Sequence, residues 1–120
     1  NRNSTLISND TMPVTKGAKA VEVEACSLDE VLGGARVDYI KYDVEGAERE
    51  AIYGSRKAIE GNYPALLVSL YHRSEDVFEL PLLLHEKYPD YKFYMRRREY
   101  IPAWDTVLLA VVIKQLVKTV

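Results

Sequence analysis

Apolar and polar positions alternate with different periods along the chain, and each change of period marks an element. "VEVEA" from Val21 alternates apolar and acidic residues, the two-residue period of a half-exposed strand. "SLDE" follows, with Ser27 as N-cap and Glu30 three residues on. That is capping-box spacing, and Gly33 and Gly34 stop the short helix. "VDYIKY" is rich in β-branched and aromatic residues and predicts a strand from Val37 to about Tyr42, ending at Asp43. After Gly46 the spacing becomes helical. Ala47, Ala51, Ile52, Ser55, Ala58 and Ile59 share one face, with Glu48, Arg49, Arg56, Lys57 and Glu60 mostly elsewhere. Gly54 weakens or breaks this helix midway, Gly61 and Asn62 close it, and Pro64 prevents its continuation.

"ALLVSL" from Ala65 is a near-continuous apolar run, the pattern of a parallel strand buried on both faces, and it leads into Tyr71 and His72. A helix follows, with Ser74 as a candidate cap, although Pro81 fits better in the first turn of a helix "PLLLHEKY" than inside a longer one. "YKFYM" and "TVLLAVVIK" predict two further strands joined by the loop "RRREYIPAWD". Residues 1–20 are polar, with Pro13, Gly17 and one apolar patch at Leu6 and Ile7, and read as loop or weak edge strand. The order strand, helix, strand, helix, strand, strand predicts a doubly wound α/β sheet. Its last two strands pair antiparallel, because no helix lies between them.

Composition narrows the class of function. The chain has 120 residues, 48% of them hydrophobic, which suits a single domain with one core. Sixteen Lys and Arg against 18 Asp and Glu leave a net charge of -2, so the attraction that drives non-specific nucleic-acid binding is missing. The lone Cys26 excludes an internal disulfide and points to a reducing compartment. "NRNSTLISND" is not a signal peptide, and no stretch approaches the roughly 20 apolar residues of a membrane span. The expectation is a soluble, cytoplasmic chain, and the missing initial Met suggests a piece of something longer.

In an open α/β sheet the ligand crevice lies outside the carboxyl ends of the strands. Asp43 and Glu45 leave one strand there and His72 leaves the next, so neighbouring strands would bring two acids and an imidazole to one edge. Gly46 allows a sharp turn and a close ligand approach. Asp43 reads equally as a ligand contact or as a helix cap, while Glu45 and Glu48 suit the first turn of a helix through its dipole. His72 reads evenly as a proton acceptor or as a histidine bonded to a loop carbonyl. His85, in a helical context, reads as a surface or core-edge residue. Arg96, Arg97 and Arg98 suit an anion or a solvated loop paired with Glu99 and Asp105, the latter by about two to one. Four tyrosines between Tyr88 and Tyr100 could stack on bases, but alternation along a strand explains them as packing. Two acids separated by one residue across a turn do not make a metal site, so none is assigned.

"SLDEVL", "VDYIKYDVEGAEREAIYGSRKAI", "YPALLVSLYHRSEDVFELPLLL", "YKFYMRR" and "WDTVLLAV" together resemble the C-terminal half of FkbM-type methyltransferases, which use S-adenosylmethionine. The most specific piece is IK-x-DVEG-x-E, here Ile40, Lys41, Asp43, Val44, Glu45, Gly46 and Glu48, and the resemblance runs from about Val21 to Val112. It implies the C-terminal half of a Rossmann-like class I methyltransferase fold, a mostly parallel sheet with the antiparallel last strand inserted between its two predecessors. It also implies O-methylation of a hydroxyl on a small molecule or saccharide. Asp43 and Val44 would lie beside the cofactor, with Glu45 and His72 on the acceptor side and His72 as the base. The family's glycine-rich cofactor loop and the acidic residue that holds the ribose have no counterpart here, which implies that this chain alone is inactive. The rival expectation is a non-catalytic half-domain that self-associates as a homodimer.

Overall fold

The computed structural model describes residues 21–97 and 106–113. The capping box forms as its spacing predicts. The Ser27 side chain accepts from the Glu30 N–H, the Glu30 carboxylate accepts from the Ser27 N–H, and the helix α1 (Leu28–Leu32) stops at Gly33 in the left-handed region. The strand β1 (Tyr39–Tyr42) begins two residues later than expected. The helical stretch after Gly46 divides into α2 (Glu48–Tyr53) and α3 (Arg56–Asn62), with the break at Gly54 and Ser55. Asp29 explains why α3 restarts there: its carboxylate accepts the Lys57 and Ala58 N–H groups, capping α3 from a different helix. α1 and the break between the helices also pack closely, since a Cβ on Gly54 would lie 3.1 Å from the Ser27 Cβ.

The strand β2 (Ala65–Ser69) pairs parallel with β1, and the helix α4 (Asp76–Lys87) follows it. The strands β3 (Lys92–Arg96) and β4 (Val107–Val111) pair antiparallel, and β4 also pairs antiparallel with β2. The sheet order is therefore β1-β2-β4-β3, with three strands running one way and β4 wedged against them. This is the inserted last strand that the resemblance implied. Ile40, Tyr42, Leu66, Val68, Leu108 and Ala110 turn to one face and pack against Ile52 and Ile59 of α2 and α3 and Leu80 and Leu84 of α4. Each fully buried Leu or Ile there contributes on the order of 1.5–3 kcal/mol.

Three expectations are corrected. The segment from Val21 to Ala25 forms no strand, and Val21 and Val23 are exposed, because no strand among the described residues lies beside it. The β2 strand is buried on one face only: Lys41, Leu67, Leu109 and Tyr94 form a row on the other face that is half-buried or exposed, since the described helices cover one side. Helix α4 starts at Asp76, not at Pro81. It accommodates Pro81 in its interior, a position that costs about 3 kcal/mol in an isolated helix and is offset here by burial of Leu80 and Leu84. Residues 1–20 and the loop from Arg98 to Asp105 lie outside the described residues.

Candidate functional site

β1 and β2 are neighbours in parallel register, Tyr42 beside Val68, so their carboxyl ends open on the same edge of the sheet. Beyond β1 the chain reverses through Glu45 and Gly46, both with positive φ (53° and 97°), before entering α2. Glycine is required at the second position. A Cβ there would lie 3.2 Å from the Arg73 Nε and 3.9 Å from the His72 Cβ. The close approach expected of a ligand at Gly46 is thus made by the segment after β2.

That reversal brings Asp43, Glu45 and His72 together. One donor atom from each lies within 4.8 Å of the others. His72 Nε2 is 3.5 Å from Asp43 Oδ1 and 3.5 Å from Glu45 Oε1. The imidazole is sealed, its side chain 8% exposed, whereas the Glu45 side chain is 87% exposed. Asp43 Oδ1 accepts from the Tyr71 hydroxyl at 2.9 Å and from Ser69 Oγ at 3.2 Å, and Oδ2 is 3.8 Å from Lys41 Nζ. The Tyr71 hydroxyl, helped by Ser69, Lys41 and the imidazole, holds the Asp43 carboxyl below the usual carboxylate range.

Glu48 is the residue that sequence reasoning misplaced. It was expected to serve the helix dipole, yet it is fully buried. Its Oε1 accepts the Val44 N–H at 3.0 Å and the Nδ1–H of His72. A carboxylate only accepts, so in the neutral imidazole Nδ1 carries the proton and Nε2 keeps the lone pair. His72 therefore meets a buried acid in place of a loop carbonyl. The signal was present in the spacing, because Glu48, Ile52, Ser55 and Ile59 follow one helical stripe and all four are buried completely.

The two expected cofactor residues diverge at the strand end. Asp43 lines an open cavity of about 470 Å³ with Lys41, Ser69, Tyr71, Arg96 and Arg97. Val44 lines a more apolar groove of about 640 Å³ between α1 and α2, with Ile40, Ala47 and Ala51. Arg96 and Arg97 thus reach the Asp43 cavity, while Arg98, Glu99 and Asp105 fall outside the described residues. His85 is exposed on α4, its ring edge-on to Phe93, away from the cluster in chain and contacts. Among the described residues no helix is long and apolar enough to cross a membrane.

The profile of the methyltransferase FkbM domain matches residues 2–102. A crystal structure of methyltransferase FkbM from Methylobacillus flagellatus KT, at 2.20 Å resolution, is similar in fold, with a TM-score of 0.62 and 35% sequence identity. That similarity covers 69% of this chain and 22% of the other, so the chain spans about a fifth of that protein's length. No curated protein matches the chain.

Proposed function

The chain belongs to the methyltransferase FkbM domain family, and from that premise we propose that it forms the acceptor-side part of a site moving a methyl group from S-adenosylmethionine to a hydroxyl oxygen of a small molecule or saccharide. The observation that carries this reading is the convergence of Asp43, Glu45 and His72 on the carboxyl edge of β1 and β2. When bound, the cofactor supplies an electrophilic methyl carbon. Asp43 is the residue here that would hold it, with Lys41 beside it, whereas Val44 lines the neighbouring groove. The fit is a matter of donor chemistry: Lys41 and Asp43 set one positive and one negative group on the wall of the same cavity, which suits the carboxylate and ammonium of a methionine moiety.

Methyl transfer by in-line displacement depends mostly on positioning. Glu48 fixes the imidazole, Tyr71 and Ser69 fix the Asp43 carboxylate, and the exposed Glu45 completes the acceptor side. Calorimetric titration of the 120-residue chain with S-adenosylhomocysteine, followed by transfer assays with hydroxyl acceptors, tests the reading. Micromolar binding that disappears in Asp43→Ala supports it. Full binding in Asp43→Ala, or transfer only to nitrogen or carbon acceptors, removes it.

One observation favours a second reading. Among the described residues β1 pairs on one side only, and such a free edge can pair with a second copy of the chain. In this reading the chain is a non-catalytic half-domain that dimerises. Sedimentation showing a dimer, together with no cofactor binding, would favour it over methyl transfer.

A further inference from the structure

Among the described residues His72 Nε2 is a buried nitrogen without a hydrogen-bond partner, pointed between two carboxylates. Its separation of 3.5 Å from each oxygen is too long for an N–H···O hydrogen bond. It is close to the spacing of two ligands on one ion. With metal–ligand bonds of about 2.0–2.2 Å, adjacent ligands lie roughly 3.0–3.5 Å apart at octahedral to tetrahedral angles.

We propose that Asp43, Glu45 and His72 bind a divalent cation, with His72 Nε2 and one oxygen of each carboxylate as the protein ligands. The surroundings are those of a ligand set. A metal-binding histidine characteristically gives its other N–H to a carboxylate, and His72 gives Nδ1–H to the buried Glu48. A ligating carboxylate is itself hydrogen-bonded, as Asp43 is by Tyr71 and Ser69. Glu45, the third member, is exposed to solvent.

Accessibility decides between a cation and direct contact with substrate. Nε2 has essentially no accessible surface, so a hydroxyl with a carbon skeleton behind it cannot reach that lone pair, whereas a bare ion fits among the three donors. With its lone pair on the cation, His72 would act as a ligand in place of the base. One nitrogen and two carboxylate oxygens suit Mn²⁺ or Zn²⁺ better than Ca²⁺. Three protein ligands leave positions for water and for the acceptor hydroxyl, whose proton a bound cation makes easier to lose to solvent on the open side of the cluster, beside the exposed Glu45. The purpose of the site rests on the methyl-transfer reading, but its existence does not.

The metal-free 120-residue chain is titrated with Mn²⁺, followed by paramagnetic resonance, and with Zn²⁺, followed by imidazole NMR. The expected result is one ion per chain, with the His72 resonances perturbed and those of His85, the other histidine, unchanged. Glu45→Gln, at an exposed position, and Asp43→Asn should each weaken binding about 10- to 100-fold, while Glu75→Gln leaves it intact. Absence of uptake at millimolar Mn²⁺ and Zn²⁺ overturns the site, as does uptake equal in Glu45→Gln and Asp43→Asn or uptake that perturbs His85. Cation binding by the chain, together with S-adenosylhomocysteine binding that survives Asp43→Ala, would uphold the site and remove the proposed reaction. Methyl transfer without cation uptake would do the reverse.

Discussion

The cluster at the sheet edge has two halves that stand in opposite relation to water. Glu48 and the Nδ1 side of His72 are sealed beneath the loop from Asp43 to Gly46, whereas the Asp43 and Glu45 side chains are 35% and 87% exposed. One imidazole belongs to both. The sealed half is held by packing and by hydrogen bonds that water cannot replace, so alterations there should register as stability. In the open half a lost contact is exchanged for water at little cost, and alterations should register as binding.

The hardest test of this contrast is Glu48→Ala. It strips the Val44 N–H and the His72 Nδ1–H of their shared acceptor, and urea titration should show a loss of about 2–4 kcal/mol, since each orphaned donor costs roughly 1–3 kcal/mol. A loss below about 1 kcal/mol would mean that the sealed half is not anchored there, and the contrast would collapse. Next comes Tyr42, on the same sealed side, where burial pushes the hydroxyl from 10.0 up to about 12. The unfolded phenol ionises near 10, so the stability linked to this shift is fully present below that pH. It is lost as pH rises through about 12, a loss on the order of 2 kcal/mol. Among the described residues the Tyr42 hydroxyl has no well-formed hydrogen bond, with only the Ser55 side chain near it, so Tyr42→Phe should be close to neutral at pH 7 and should flatten the alkaline limb of a stability–pH curve.

Gly46 lies between the halves. Gly46→Ala places a Cβ at positive φ and against Arg73, and should lower stability by about 1–2 kcal/mol in the same titration. A neutral result would show that the loop can re-form without its present turn. The smallest expected effect is that of Glu45→Gln, below about 0.5 kcal/mol. A larger loss would make Glu45 part of the sealed half.

Local chemistry was legible in the sequence, and long-range partnership was not. The Ser27 and Glu30 caps, the break at Gly54 and the strands leading to Asp43 and His72 all depend on residues within a turn of one another. The alternation in Val21 to Ala25 predicted a strand because period alone cannot say whether a neighbouring strand exists. Pro81 looked like a helix start because the burial of Leu80 and Leu84 that offsets its cost is tertiary. The meeting of Asp43, Glu45 and His72 could be anticipated from the strand order. The burial of Glu48 could not be told from charge, since an acid near a helix start serves the dipole in most settings. Only the stripe with Ile52, Ser55 and Ile59 separates the two roles.

The position of β4 also has a bearing on how the chain is made. Among the described residues β3 has β4 as its one strand partner, and β2 reaches β3 only through β4. A ribosome delivers β1, β2 and the intervening helices first, and these can pair at once through their parallel register. β3 then emerges with nothing to join, its backbone donors and acceptors served by water until residues 107–111 have cleared the exit. Insertion of β4 closes two ladders in one event, across a separation of about forty residues from β2, which carries a larger loop-closure cost than the ten or so residues that separate it from β3. The hairpin of β3 and β4 is therefore the natural unit to form first and dock second. Until it docks, the edge of β2 stays open to any neighbouring nascent strand.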